Sequence, residues 1–235
     1  SVVKKNPNSI VINIAGSYVD MSQWIDSVET LLFVPYSGEK IGRAIGQILV
    51  GKINPSGKLP FSYPRSPKDY PAGSFYEGEA FSKSGESNSY AEGIYVGYRH
   101  FDKAGIDVLY PFGYGLNYSK FKYGNLRVEP LTPSTFSVNF EIENRSSRAG
   151  TDVPQLYISP PTSDVDRPVR ELKAFKRVHV GPNDTKEVEF QLPSSAFSYF
   201  HPEKLGWIVE DGRYDILIGN SSRDIQIEQT ITLGD

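Results

Sequence analysis

The sequence predicts an α/β segment followed by an all-β domain: part of a parallel-sheet α/β sandwich, then an immunoglobulin or fibronectin type III-like β-sandwich. Three observations carry that expectation. Ile10-Val11-Ile12-Asn13-Ile14 and Leu31-Leu32-Phe33-Val34 are short, nearly continuous apolar runs, the pattern of parallel strands covered on both faces. Between and after them apolar residues recur at helical spacing. From about residue 123 the chain changes to alternation, which turns one face of each strand into a core.

Taken in order, Asn6-Pro7-Asn8-Ser9 is a turn that leads into the first apolar strand. Residues from about 21 to 29 suffice for a short crossover to the second. After Gly38, Ile41, Ala44, Ile45, Ile48 and Leu49 fall at three- and four-residue steps, one face of a helix. Gly51 stands where a helix C-terminal glycine is expected. Asn54-Pro55-Ser56-Gly57 then turns the chain into a third extended piece, Lys58-Leu59-Pro60-Phe61. Three strands are too few to bury both faces of a sheet, so the α/β unit, residues 1–64, is expected to be partial.

Residues 65–122 are expected to form a linker and an interdomain clasp. The stretch up to about residue 92 is rich in Ser, Gly, Pro and Glu, and a structureless span of that length is functional or a tether. The segment Tyr110-Pro111-Phe112-Gly113-Tyr114-Gly115-Leu116-Asn117-Tyr118 packs rings and glycines at the boundary between the two textures. Interdomain packing is its expected role, with sugar stacking the alternative. Residues 123–235 form the β-sandwich: Phe136, Val138, Phe140 and Ile142 alternate with polar neighbours, as do Val188, Phe190 and Leu192, and Tyr214, Ile216 and Ile218. Turn residues separate these strands at Asn144 to Gly150, Gly181 to Asp184, and Asp211-Gly212. Trp24 and Trp207 are expected as core anchors.

Composition removes several function classes. Mixed charges summing to -3, with no basic run, give no footprint for nucleic acid or an anionic membrane. Arg167, Arg170, Lys173, Lys176 and Arg177 come nearest to a positive cluster, but interleaved acids make them read as a solvated strand face. No apolar run approaches the roughly 20 residues of a membrane span. There is no cysteine, and His100, His179 and His201 lack metal-ligand spacing, so neither a metal nor another cofactor is expected. The chain opens on Ser1 and is expected to be a fragment, a split subunit or an excised piece. Asn117, Asn144, Asn183 and Asn220 each begin an Asn-x-Ser/Thr triplet, a lean toward a secreted or extracytoplasmic location.

Gly51 to Pro60 (GKINPSGKLP), Glu92 to Asp102 (EGIYVGYRHFD) and Tyr110 to Tyr118 (YPFGYGLNY), in this order and spacing, resemble glycoside hydrolase family 3. Ala149-Gly150 before Gln155-Leu156-Tyr157, and Gly212 and Tyr214 ahead of Gly219 and Ser221-Ser222, resemble its fibronectin-like domain. Asn6-Pro7-Asn8 and Arg43-Ala44-Ile45 resemble its α/β-sandwich domain. The sequence departs from the family at Ser37 to Gly42 (SGEKIG), where members carry a more glycine-rich turn.

The resemblance implies an exo-acting retaining hydrolase of β-linked glucosides, xylosides or related sugars, built as a barrel, an α/β sandwich and a fibronectin-like domain. It places the nucleophilic Asp on the barrel and the acid/base Glu upstream of the Asn-Pro-Asn strand, and neither motif is present here. Its partners would then be the barrel and the N-terminal sandwich portion, from the same precursor or a separate chain, and a small saccharide or aryl glycoside.

Retaining hydrolysis needs two carboxyl groups about 5–5.5 Å apart, one of them buried so that it stays protonated. Asp20, Asp26, Glu77, Glu79 and Glu86 are the carboxylates that could enter such a pair. Glu77, Glu79 and Glu86 lie among Gly and Ser and read as a solvated loop, so no catalytic residue is assigned. Direct sugar contact is expected from the long loop, with Phe75, Tyr76 and Glu77 as the nominees. Arg99 is expected after a strand-like aromatic run, pairing with a carboxylate between domains, with a substrate contact as the alternative. The main expectation is the C-terminal portion of a retaining β-glycosidase, a β-glucosidase, supplying cleft wall and scaffold. The alternative is a non-catalytic carbohydrate-binding or adhesion module.

Overall fold

The computed structural model describes residues 2–71 and 92–234. A short helix α1 (Val2–Lys5) precedes β1 (Ile10–Ile14) and β2 (Thr30–Val34), which pair in parallel with Ile10 opposite Thr30 and Ile14 opposite Val34. The crossover is a single 3-10 turn, Ile25–Ser27. Helix α2 (Ile41–Leu49) follows and ends as its sequence predicts. Gly51 takes a φ of +71° and donates its N–H to the Ile48 carbonyl at 2.8 Å, the left-handed exit that glycine adopts without steric cost.

Lys58–Phe61 does not join this sheet as a third strand. Its Leu59 N–H and C=O pair instead with Tyr114 O and Gly113 N, both at 2.8 Å, and Pro60 has no donor for a sheet ladder. The next strand is β3 (Tyr63–Pro64), antiparallel to β4 (Val108–Tyr110). A small core of Met21, Ile25 and Tyr63, joined by Phe33, Phe61 and Trp24, packs under these elements. The Tyr63 hydroxyl ties it down by donating to Val19 O and accepting from Val19 N, each at 2.7 Å.

Two further expectations are corrected. Pro67–Asp69 is a 3-10 turn, closed by a reciprocal pair of hydrogen bonds between Ser66 and Asp69. The run before Arg99 is not a strand. Gly97 sits at φ +61° and starts helix α3 (Tyr98–Lys103), so Arg99 lies in the first turn of a helix.

The rest is a β-sandwich. One sheet orders β11 (Thr185–Pro193), β6 (Thr135–Asn144) and β5 (Phe121–Thr132); the other orders β15 (Ile225–Leu233), β14 (Gly212–Gly219), β8 (Gln155–Ser159) and β9 (Glu171–Phe175). Two short ladders complete it, β7 (Gly150–Asp152) with β10 (Val178–Val180), and β12 (Tyr199–His201) with β13 (Gly206–Ile208). The alternating residues meet as expected: Val138, Phe140, Ile142, Val188, Phe190, Leu192, Tyr214, Ile216 and Ile218 share one buried core. The Tyr214 hydroxyl donates back to the Glu210 carbonyl at 2.9 Å, the tyrosine-corner bond of immunoglobulin-like sandwiches. Trp207 is not in this core. It is 72% exposed on the β12–β13 hairpin, because its register position faces away from the sandwich.

Candidate functional site

The polar and aromatic groups of the chain converge at the seam between the α/β part and the sandwich. Tyr110–Tyr118 runs along that seam and bonds to both sides. Toward the α/β part, Gly113 and Tyr114 pair with Leu59, and Phe112 N–H donates to Ser62 Oγ at 3.2 Å. Toward the sandwich, Phe112 O accepts from Ser222 N at 2.9 Å, and Gln155 Nε2 donates to Gly113 O at 3.1 Å and to Asn220 O at 2.8 Å. The two glycines are required by this closeness. A Cβ at Gly115 would strike the Gly57 carbonyl, and one at Gly113 would strike the Gln155 amide.

Tyr114 stacks on Tyr110 at 5.1 Å between centroids, and Tyr98 bridges Phe112 and Tyr157. Tyr118 caps the other end. Its hydroxyl donates to Ile48 O at 3.0 Å, and its ring carries the Arg148 guanidinium at 5.3 Å. Arg148 also bonds to the Gly51 carbonyl. Asn54 closes the seam with bonds to Tyr118 N, Ser119 Oγ and Ala149 O.

Two ionic groups lie within it. Lys58 reaches Asp152 at 3.3 Å, with side chains 12% and 5% exposed, and the Tyr123 hydroxyl donates to the other Asp152 oxygen at 2.7 Å. Burial, and then the Asp152 charge, push the Tyr123 phenol far above its usual range, so it is a permanent donor. On the opposite flank, α3 is fastened to the sandwich. Arg99 pairs with Glu171 at 3.0 Å, Asp102 with Arg223 at 2.9 Å, and Lys103 with Asp166. Tyr98 Oη accepts the Leu172 N–H at 2.9 Å. Arg99 therefore does pair across the seam with a carboxylate. Sequence reasoning missed Asp102, Glu171 and Arg223, whose pairings join residues 72 to 121 positions apart. The basic residues read as a solvated face are partly structural: Arg167 pairs with Glu210, Arg170 lies 3.7 Å from Asp102, and Lys173 pairs with Glu171.

An open cleft of about 480 Å³ follows the seam, lined by Lys58, Tyr114, Asn117, Asp152, Asn220 and Asp224 among others. Its buried acid, Asp152, is committed to Lys58 and Tyr123.

Of the sequence-nominated carboxylates, the two among the described residues, Asp20 and Asp26, are not brought together with it. Asp20 is exposed and accepts from Ser22 N at 2.9 Å. Hydrogen bonding from Ser22 holds its carboxyl below the usual range, the opposite of what a proton donor needs. Asp26 is exposed in the 3-10 turn. Phe75, Tyr76, Glu77, Glu79 and Glu86 lie outside the described residues. Among the described residues no group of three potential metal-ligating side chains occurs. The histidines are dispersed on Asp69 O, Thr151 Oγ1 and Lys204 N. Of the four glycosylation triplets, only Asn183 presents an exposed asparagine; the side-chain amides of Asn117, Asn144 and Asn220 are hydrogen-bonded within the fold.

Comparison with known proteins agrees with this architecture. Residues 1–98 match the glycosyl hydrolase family 3 C-terminal domain, and residues 152–222 match a fibronectin type III-like domain. The chain is 37% identical over 234 residues to thermostable beta-glucosidase B of Acetivibrio thermocellus, covering 98% of this chain and 30% of that protein. It superimposes with a TM-score of 0.90 and 34% identity on the beta-glucosidase of Kluyveromyces marxianus solved with glucose, covering 100% of this chain and 28% of the other. With beta-glucosidase 3B of Thermotoga neapolitana, solved with α-D-glucose, the TM-score is 0.88 at 36% identity, over 98% of this chain and 32% of that one. The chain thus spans about 30% of the length of the curated relative from Acetivibrio thermocellus. With both parts matched in order, the chain belongs to glycoside hydrolase family 3, of which it is a C-terminal portion.

Proposed function

We propose that this chain serves an exo-acting retaining β-glucosidase, supplying one wall of the cleft and the scaffold that braces it. The reactive carboxylates would come from barrel-bearing polypeptide and from the preceding part of the α/β sandwich. One observation carries the reading: the chain matches beta-glucosidases along nearly its whole length, while its buried seam acids, Asp102 and Asp152, are both committed to cations. A carboxylate held that way supports a joint between domains, not acid/base chemistry.

The division into 1–64, 65–122 and 123–235 is part of the same proposal. It is supported by the two hydrophobic cores, one around Met21 and Tyr63 and one within the sandwich. Phe75, Tyr76 and Glu77 stay as the proposed sugar contacts, supported by the sequence alone.

The test is hydrolysis of p-nitrophenyl β-D-glucoside by residues 1–235 alone and by the complete polypeptide that contains them. Turnover by the complete polypeptide only supports the proposal. Turnover by residues 1–235 alone would refute it. Absence of turnover in both, with retention on immobilised sugar, would instead support a binding module.

A further inference from the structure

We propose that the β12–β13 hairpin is a stacking platform for a neutral polysaccharide chain, separate from the seam. Two aromatic rings stand in solvent on a fixed support. Trp207 is 72% exposed and Phe200 48%; they are directly opposite in the register and so share a face. Their centroids lie 6.0 Å apart at 77°. Leu205, 78% exposed, and Val209, 41% exposed, extend the apolar surface. Leu205 holds a φ of +50°, a left-handed conformation that non-glycine residues adopt infrequently. Exposed apolar side chains gathered on one short hairpin mark a surface kept for contact.

The support is rigid. Behind the rings, Tyr199 is buried and donates to Glu210 Oε1 at 2.6 Å. The Arg167 guanidinium lies 4.2 Å over the Tyr199 ring and 3.3 Å from Glu210. Ser163 Oγ donates to the same carboxylate at 2.8 Å. A platform fixed in this way loses little side-chain entropy when a ligand settles on it.

Size and charge select the occupant. A stable protein interface takes about 800 Å² and 20–30 residues from each partner, far more than four apolar side chains offer. One or two pyranose rings match that area. The polar neighbours His201, Glu203 and Lys204 contribute one acid and one base, so no field attracts a polyanion. The C–H face of a β-linked pyranose is apolar and weakly positive, and complements the negative face of indole. Its hydroxyls point outward at the ring edge and keep their water, so the platform needs no buried polar partner.

The polymer class follows from the glycosidase reading, but the two fail separately, since small-glucoside turnover tests one and polymer retention the other. The experiment is native electrophoresis of the complete polypeptide through gels with and without mixed-linkage β-glucan, beside assays on p-nitrophenyl β-D-glucoside. The parent protein is expected to be retarded. Trp207→Ala should weaken that retention roughly fivefold or more and Trp207→Phe should weaken it less, in line with loss of ring area. Both variants should keep kcat/KM on the small glucoside within about twofold. The proposal is overturned if the parent is not retarded, or if Trp207→Ala is retarded equally. It also falls if Trp207→Ala lowers Tm by more than about 5 °C, which would mark a ring packed inside the protein, or if it abolishes a concentration-dependent dimer.

Discussion

The two parts of the molecule treat similar apolar sequence in opposite ways. In the sandwich, Val138, Ile142, Ile216 and Ile218 are 0% exposed. In the α/β part, Ile10, Ile12 and Ile14 are 49%, 37% and 51% exposed, and α2 buries none of its residues. The difference lies in closure. Two antiparallel sheets cover each other within one chain, whereas two parallel strands need layers on both faces and among the described residues receive one, from Met21, Ile25 and Tyr63. A strand sequence therefore specifies which residues want burial, while the partner surface decides whether they obtain it.

The sharpest contrast comes from truncating one residue in each part. Phe140→Ala should cost about 3–5 kcal/mol, whereas Ile14→Ala in residues 1–235 should cost about 1 kcal/mol because half of that residue is already exposed to water. Denaturant titration with circular dichroism measures both, and equal costs would break the comparison. At the joint, Asp152→Ala should cost about 3–5 kcal/mol by leaving Lys58 buried without its counter-charge. Truncating both partners should recover part of that loss. A smaller effect, about 1–3 kcal/mol, is expected for Gly113→Ala, where the φ of +81° and the Gln155 amide both oppose a side chain. Melting temperature reads it, and the same change at Gly124, which has open space, should be far milder.

The smallest effect is set by pH. Burial works to raise the Glu210 carboxyl, but hydrogen bonds from Tyr199 and Ser163 and the Arg167 charge outweigh it and hold it below its ordinary range. A carboxyl lowered in the folded state stabilises above the unfolded value of about 4.3, and that gain fades as pH falls through the folded value. Glu210→Gln should therefore cost about 1 kcal/mol near neutrality, given a side chain 25% exposed, and progressively less in acid. A cost that grows with acidity would contradict the assignment.

Much of this was legible in sequence because it is written in short-range pattern. Period-two alternation gave the faces of β6, β11 and β14, and Gly51 gave the end of α2. What was missed depends on distant partners. Lys58–Phe61 reads as a strand, yet its hydrogen bonds go to Gly113 and Tyr114. The run before Arg99 reads as extended, but Gly97 turns it into α3. Trp207 reads as core because tryptophan usually is, whereas register alone turns it to solvent. The Asp102 cluster, joining α3 to residues beyond 169, has no local signature at all.

The central claim is that the α/β layer is a surface completed by further polypeptide, so its most direct test is amide hydrogen exchange at Ile10–Ile14 and Ile41–Leu49. The account predicts fast exchange there in residues 1–235, slow exchange at β6 and β14 in the same sample, and slowing of β1 and α2 only in the complete polypeptide. Equal protection of β1 and α2 in both forms would contradict it.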